Sequence, residues 1–124
     1  MRRLVLLLTL VGAGALFGFS ASSASAAQVD LWQSPTGNIR CAYANQTGVG
    51  CYTRNNGRWA VLKSFGGSST GRMSRGLPAG RVLGYGRTWA RSTFRCRSMT
   101  SGMRCWSTYT GRGFHISRSG ARTW

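Results

Sequence analysis

Ile39-Arg40-Cys41-Ala42-Tyr43 and Phe94-Arg95-Cys96-Arg97 are the stretches that decide the fold class. In the first, Ile39, Cys41 and Tyr43 alternate with Arg40 and Ala42; in the second, Phe94 and Cys96 alternate with Arg95 and Arg97. A period of two puts one set on each face of an extended strand. Turn-forming residues punctuate these runs at Pro35-Thr36-Gly37-Asn38, Asn55-Asn56-Gly57 and Ser101-Gly102. Beyond the N-terminal segment no run keeps a helical period. The sequence therefore predicts an all-β fold: a small disulfide-stapled domain of two similar β-hairpin units joined by a Gly/Ser-rich loop.

Working outward, each stretch belongs to a longer repeat. The first copy reads Ile39-Arg40-Cys41, a polar stretch, Cys51-Tyr52-Thr53, Gly57 and Trp59-Ala60-Val61. The second reads Phe94-Arg95-Cys96, a polar stretch, Cys105-Trp106-Ser107, Gly111 and Phe114-His115-Ile116. Aligned in this way, the copies differ by one residue between the cysteines and by one after the glycine. Four cysteines allow three pairings, and the repeat favours Cys41 with Cys51 and Cys96 with Cys105. Each bridge would close a loop of about ten residues, which chain entropy values at a little under ~3 kcal/mol. A zinc site would want cysteines two to four residues apart, which these are not, so no metal and no cofactor is expected.

Residues 1–26 carry the marks of a secretory signal peptide: Arg2 and Arg3, an apolar run from Leu4 to Val11 extended to Phe19, then small residues to Ala26 and Ala27. The run is shorter than the roughly 20 residues of a membrane-spanning helix, so no transmembrane anchor is expected after processing. Cleavage after Ala26 or Ala27 would leave 27–124 as a single small β domain that is secreted and extracellular, an oxidising setting for paired cysteines. Within it, 64–81 holds Gly66, Gly67, Gly71, Gly76 and Gly80 with Arg72, Arg75 and Arg81, and is expected to be a flexible basic loop.

Charge sets the next bounds. The chain of 124 residues has 17 Lys and Arg against one acidic side chain, a formal net charge of +16. Loss of 1–26 removes Arg2 and Arg3 and leaves 15 basic groups on 98 residues. A lone carboxylate, Asp30, rules out glycoside hydrolysis by a carboxylate pair. His115 is the only histidine, so any Ser-His-Asp triad would have to use both. His115 also alternates with Phe114 and Ile116, which turns it away from the core and reads as an exposed, structurally neutral histidine. No catalytic residue is assigned, and the chain is read as non-enzymatic.

If Cys41 faces Cys51 across a hairpin, Arg40 and Tyr52 share the opposite face; by the same rule Arg95 and Arg97 stand near Arg104 and Trp106. Guanidinium groups beside aromatic rings suit phosphate-bearing polymers and anionic lipids, so Arg40, Tyr52, Arg95, Arg97, Arg104 and Trp106 are the candidate binding residues. The predicted partner is an anionic extracellular polymer or surface, with non-specific nucleic-acid binding in vitro following from net charge alone. The alternatives are a cationic antimicrobial or toxin-like protein and an inhibitor-type protein-binding module.

Ser34-Pro35-Thr36-Gly37-Asn38-Ile39-Arg40-Cys41, Leu83-Gly84-Tyr85-Gly86, Phe94-Arg95-Cys96, Ser101-Gly102-Met103-Arg104-Cys105 and Thr110-Gly111-Arg112-Gly113-Phe114-His115-Ile116-Ser117-Arg118 occur in that order. Together they resemble a family of small secreted actinobacterial proteins of unknown function, over nearly all of 27–124. The resemblance implies export and cysteine pairs bridged within β-hairpins, and implies no activity. The chain departs from that pattern at Ser107 and Arg112, where the resemblance leads one to expect Asn and His, and at Ala121-Arg122-Thr123-Trp124.

Overall fold

The computed structural model describes residues 29–73 and 75–124; the expected signal peptide, 1–26, lies outside the described residues. The described chain forms eleven strands: β1 (Val29–Gln33), β2 (Ile39–Ala44), β3 (Gly48–Thr53), β4 (Arg58–Lys63), β5 (Ser68–Arg72), β6 (Arg81–Val82), β7 (Thr88–Arg91), β8 (Phe94–Met99), β9 (Gly102–Ser107), β10 (Gly113–Ser117) and β11 (Gly120–Thr123). They build two sheets, in the orders β5-β4-β3-β2-β1-β6 and β11-β10-β9-β8-β7. Each sheet is an antiparallel meander of five strands, and β6 adds to the first sheet parallel to β1. The sheets pack face to face, β10 over β3 and β4, and β11 over β4 and β5.

The repeat is therefore a repeat of whole sheets. Cys41 pairs with Cys51 and Cys96 with Cys105, each bridging directly opposed residues of one hairpin. The two bridges meet in the core, where Cys51 Sγ lies 3.9 Å from Cys105 Sγ. Trp32 stands opposite Cys41 and Trp89 opposite Cys96. These equivalent rings stack across the interface at 4.1 Å and 18°. Leu62 and Ile116, Val49 and Met103, and Ile39 and Phe94 fill the other matched inward positions. Two large residues sit opposite small ones in the alignment: Tyr43 matches Ser98, and Phe114 matches Ala60. Dense packing demands such compensation when one scaffold occurs twice in a single core.

Strand register corrects the sequence alignment. Cys51 opposes Ala60 and Cys105 opposes Phe114, so Phe114 corresponds to Ala60 and not to Trp59. Matching the two large aromatic residues was misleading because Trp59 points outward while Phe114 points inward. With the register right, Gly57 and Gly111 precede these positions by the same interval, and there is no insertion after the glycine. Both glycines have positive φ, and each donates its N–H to an equivalent carbonyl, of Thr53 and Ser107. The one-residue difference lies in the hairpin connections, Asn45-Gln46-Thr47 against Thr100-Ser101. Both connections end on a buried glycine in the left-handed region, Gly48 at φ +124° and Gly102 at +142°.

The stretch 64–81, expected as a loop, is in part a strand. Ser68–Arg72 pairs with β4 as β5, and Arg81 opens β6. Serine and glycine have little strand propensity, and the pairing with β4 overrides it. Residues 76–80 return over the outer face of the first sheet. A Cβ at Gly76 would meet the Tyr52 ring, and one at Gly80 would meet the backbone of Leu31. Gly80 N–H donates to Gln33 Oε1 at 3.3 Å, and Arg40 donates to the Leu77 carbonyl at 3.4 Å. Among the described residues no helix is long and apolar enough to cross a membrane.

Candidate functional site

Alternation along β7 to β11 sends every second side chain to the outer face of the second sheet. Two rows result. One runs Ala90, Arg95, Trp106, Gly113, with Trp124 closing it beyond β11; the next runs Thr88, Arg97, Arg104, His115, Arg122. With strands about 4.8 Å apart, the charged part of the second row spans roughly 15 Å. Like charges directly opposite one another cost stability. Arg97 nevertheless faces Arg104, and Arg122 flanks His115.

Several of these side chains are held in place. Arg95 donates to the carbonyls of Ser92 at 3.0 Å and Phe94 at 2.7 Å. Arg97 donates to Thr88 Oγ1 at 3.3 Å. The Arg104 guanidinium lies over the Trp124 ring, 4.5 Å from its centroid, a cation–π contact. His115 is held below its ordinary pKa of 6.5, first by burial and then by the charges of Arg122 and Arg104. A neutral imidazole relieves the row of one charge near neutral pH.

Asp30, the single carboxylate, is elsewhere. Its Oδ2 accepts from Trp89 Nε1 at 3.1 Å and from Arg91 at 3.0 Å, tying the first strand of one sheet to the first of the other. Asp30 and His115 stand in different sheets.

The structure brings together four of the six residues named from the sequence and sets two apart. Arg95 faces Trp106 and Arg97 faces Arg104, all on the outer face of the second sheet. Arg40 faces Tyr52 as expected, but on the outer face of the first sheet, on the far side of the core and under the segment that returns to β6. Sequence reasoning missed Arg122 and Trp124, which join the face only through the β10–β11 pairing. The signal was present in His115-Ile116 followed by a Ser-Gly turn and Ala121-Arg122.

The duplication supplies an internal comparison. The aromatic row has a counterpart on the first sheet, where Gln33, Arg40, Tyr52, Trp59 and Gly71 match Ala90, Arg95, Trp106, Gly113 and Trp124. Trp59 covers Gly71 there, and Trp124 covers Gly113 here, so one tryptophan–glycine pair occurs in both orders. The second row has no such likeness: Leu31, Ala42, Gly50, Val61 and Ser69 match Thr88, Arg97, Arg104, His115 and Arg122. Comparison of the chain with protein-family models, with curated proteins and with solved structures finds no match in any of the three, so a functional reading rests on these two faces.

Proposed function

We propose that this chain is an exported, non-enzymatic module that binds an anionic extracellular polymer through the outer face of its second sheet. Arg95, Arg97, Arg104 and Arg122 supply the charge, and Trp106 and Trp124 supply flat apolar surface beside it. One observation carries the reading: the same scaffold, present twice, bears an uncharged row on one face and, at the matching positions of the other, a row with three arginines. Net charge spread evenly over a basic protein would not produce that contrast. Arginine forks grip phosphate or carboxylate groups in two-point contacts, and the release of counterions condensed on the polymer drives binding.

The test compares two variants of equal charge, Arg97→Ala/Arg104→Ala and Arg72→Ala/Arg75→Ala, for binding to linear polyphosphate over a salt series. Each lost contact should lower the log–log salt slope by roughly 0.7 to 0.9. The first variant is expected to lose about 1.5 in slope and the second much less. Equal losses would mean that only total charge matters. Leakage of anionic vesicles at the same protein concentrations would instead favour a membrane-active cationic protein.

A further inference from the structure

One end of the sandwich, adjoining the arginine row, holds a cleft of about 390 Å³ between the two sheets. Its lining is rich in hydroxyl groups, among them Ser34, Thr36, Ser101, Ser117 and Ser119, with the half-exposed ring of Tyr85 and the Arg118 side chain at its border. Asn38 also lines it, and Asn38 Nδ2 is buried without a hydrogen-bond partner in the protein.

The walls are fixed by hydrogen bonds within each sheet and between the sheets. The N–H of Arg54 donates to the Asn38 carbonyl at 2.8 Å and that of Asn55 to Asn38 Oδ1 at 3.1 Å. Between the sheets, Asn56 Nδ2 donates to the Arg118 carbonyl at 3.0 Å, holding the β10–β11 turn. Gly86 N–H to the Ser98 carbonyl, at 2.7 Å, holds the turn that bears Tyr85. A second hollow of about 350 Å³ shares Ser101, Ser117 and Ser119 with the first and continues to His115 and Arg122. The cleft is therefore continuous with a hollow that reaches Arg122, one end of the arginine row.

From this continuity we infer that the ligand is an anionic glycan: a sugar unit occupies the cleft while its phosphate or carboxylate groups lie along Arg122, Arg104 and Arg97. Hydroxyl side chains both donate and accept, which is what a ring bearing several hydroxyls requires of its partners. A pocket with a few convergent polar groups and one ring edge suits a sugar face better than a bare polyphosphate, which offers acceptors only. Nucleic acid would place its charges outside and its bases on rings; among the cleft residues Tyr85 is the single aromatic side chain. The inference rests on the arginine-face reading and adds the substrate class to it.

Titration of the oxidised protein with a poly(hexosyl phosphate), with linear polyphosphate matched in charge and with duplex DNA separates the two ideas. The hexosyl polymer should bind about tenfold more tightly than polyphosphate, the worth of one or two hydrogen bonds. Ser101→Trp, in an exposed turn, should fill the cleft and remove that excess while leaving polyphosphate within twofold. Tyr85→Ala/Arg118→Gln should act in the same direction by removing contacts. Equal binding of the two polymers, or equal loss for both in the cleft variants, would overturn the glycan inference. So would a DNA preference abolished by Ser101→Trp. If Arg97→Ala/Arg104→Ala left all three ligands unaffected, the arginine-face reading itself would fall; if it weakened all three while the two polymers bound alike, only the cleft would.

Discussion

Gly102 and Gly48 test the duplicated architecture most directly. A Cβ at Gly102 would lie 2.2 Å from the Ile116 carbonyl oxygen, and one at Gly48 2.1 Å from that of Leu62, the equivalent residue. Both φ values are in the region that L side chains avoid. Backbone strain there costs about 1–3 kcal/mol. The clash is with a carbonyl fixed in the sheet ladder, so relief needs strand separation and adds about 1–3 kcal/mol of overpacking. Gly102→Ala and Gly48→Ala should each lose about 3–5 kcal/mol, a large share of the roughly 5–15 kcal/mol that holds a domain of this size together. That corresponds to a fall in Tm of roughly 15–30 °C. Two controls grade the effect. At Gly111, φ is +75° and nothing lies within 4 Å, so Gly111→Ala should lose only the local strain of about 1–2 kcal/mol. At Gly120 neither constraint applies, so Gly120→Ala should be neutral or slightly stabilising. Urea and thermal unfolding with the disulfides intact would measure all four. A Gly102→Ala variant within ~0.5 kcal/mol of Gly120→Ala, at the resolution of surface substitutions, would refute the close approach of β9 to β10.

Other expectations follow from the charged groups and the sulfurs. Asp30→Ala should cost about 1–2 kcal/mol, discounted because both partners of its ion pair are about a third exposed, and this is measurable as a shift in urea midpoint at constant m. Because His115 titrates below 6.5 when folded, the unfolded chain takes up its proton first as pH falls. The group thus costs no stability above 6.5, and its penalty grows between 6.5 and its folded value. Arg122→Ala should raise the His115 pKa in an NMR titration, and a bound polyanion should raise it too, so affinity increases as pH falls through that range. An unmoved resonance would show that the Arg122 charge does not reach the imidazole. With Cys41→Ser/Cys96→Ser, the remaining sulfurs, 3.9 Å apart in the parent, should oxidise to a Cys51–Cys105 bridge between the sheets. Peptide mapping that found free thiols or a disulfide-linked dimer would count against that proximity.

Alternation around Cys41 and Cys96 was enough to read strands, hairpins and the facing of Arg95 with Trp106, because a period of two leaves little choice of side once one residue is known to be inside. It could not say which outer face a hairpin ends on, since that depends on how two sheets pack. Arg40 and Tyr52 were therefore grouped with residues that lie across the core from them. Edge strands were the other gap. Ser68–Arg72 has no apolar alternation because an edge strand at the rim buries little, and β6 is only two residues long. Trp32 and Trp89, among the most buried side chains, carry no sequence signal of their burial because each sits in a short strand of mixed composition. The cleft is illegible for a different reason: its walls come from four separate segments of turns and strand ends, none of which carries a chemical signature alone.

Each cysteine bridge spans ten or nine residues, and neither one links the sheets to each other. The covalent cross-links are thus complete within single hairpins, without reference to the rest of the chain. Under oxidising conditions a hairpin can be locked on its own, and the long-range step that remains is the meeting of two sheets, each built on one locked hairpin. Under mechanical or thermal load the order reverses: the sheets part along the tryptophan stack and the Asp30–Arg91 contact while both hairpins stay closed. The half-open chain would then expose two apolar plates of similar outline, and a plate from a neighbouring molecule could take the place of its own partner.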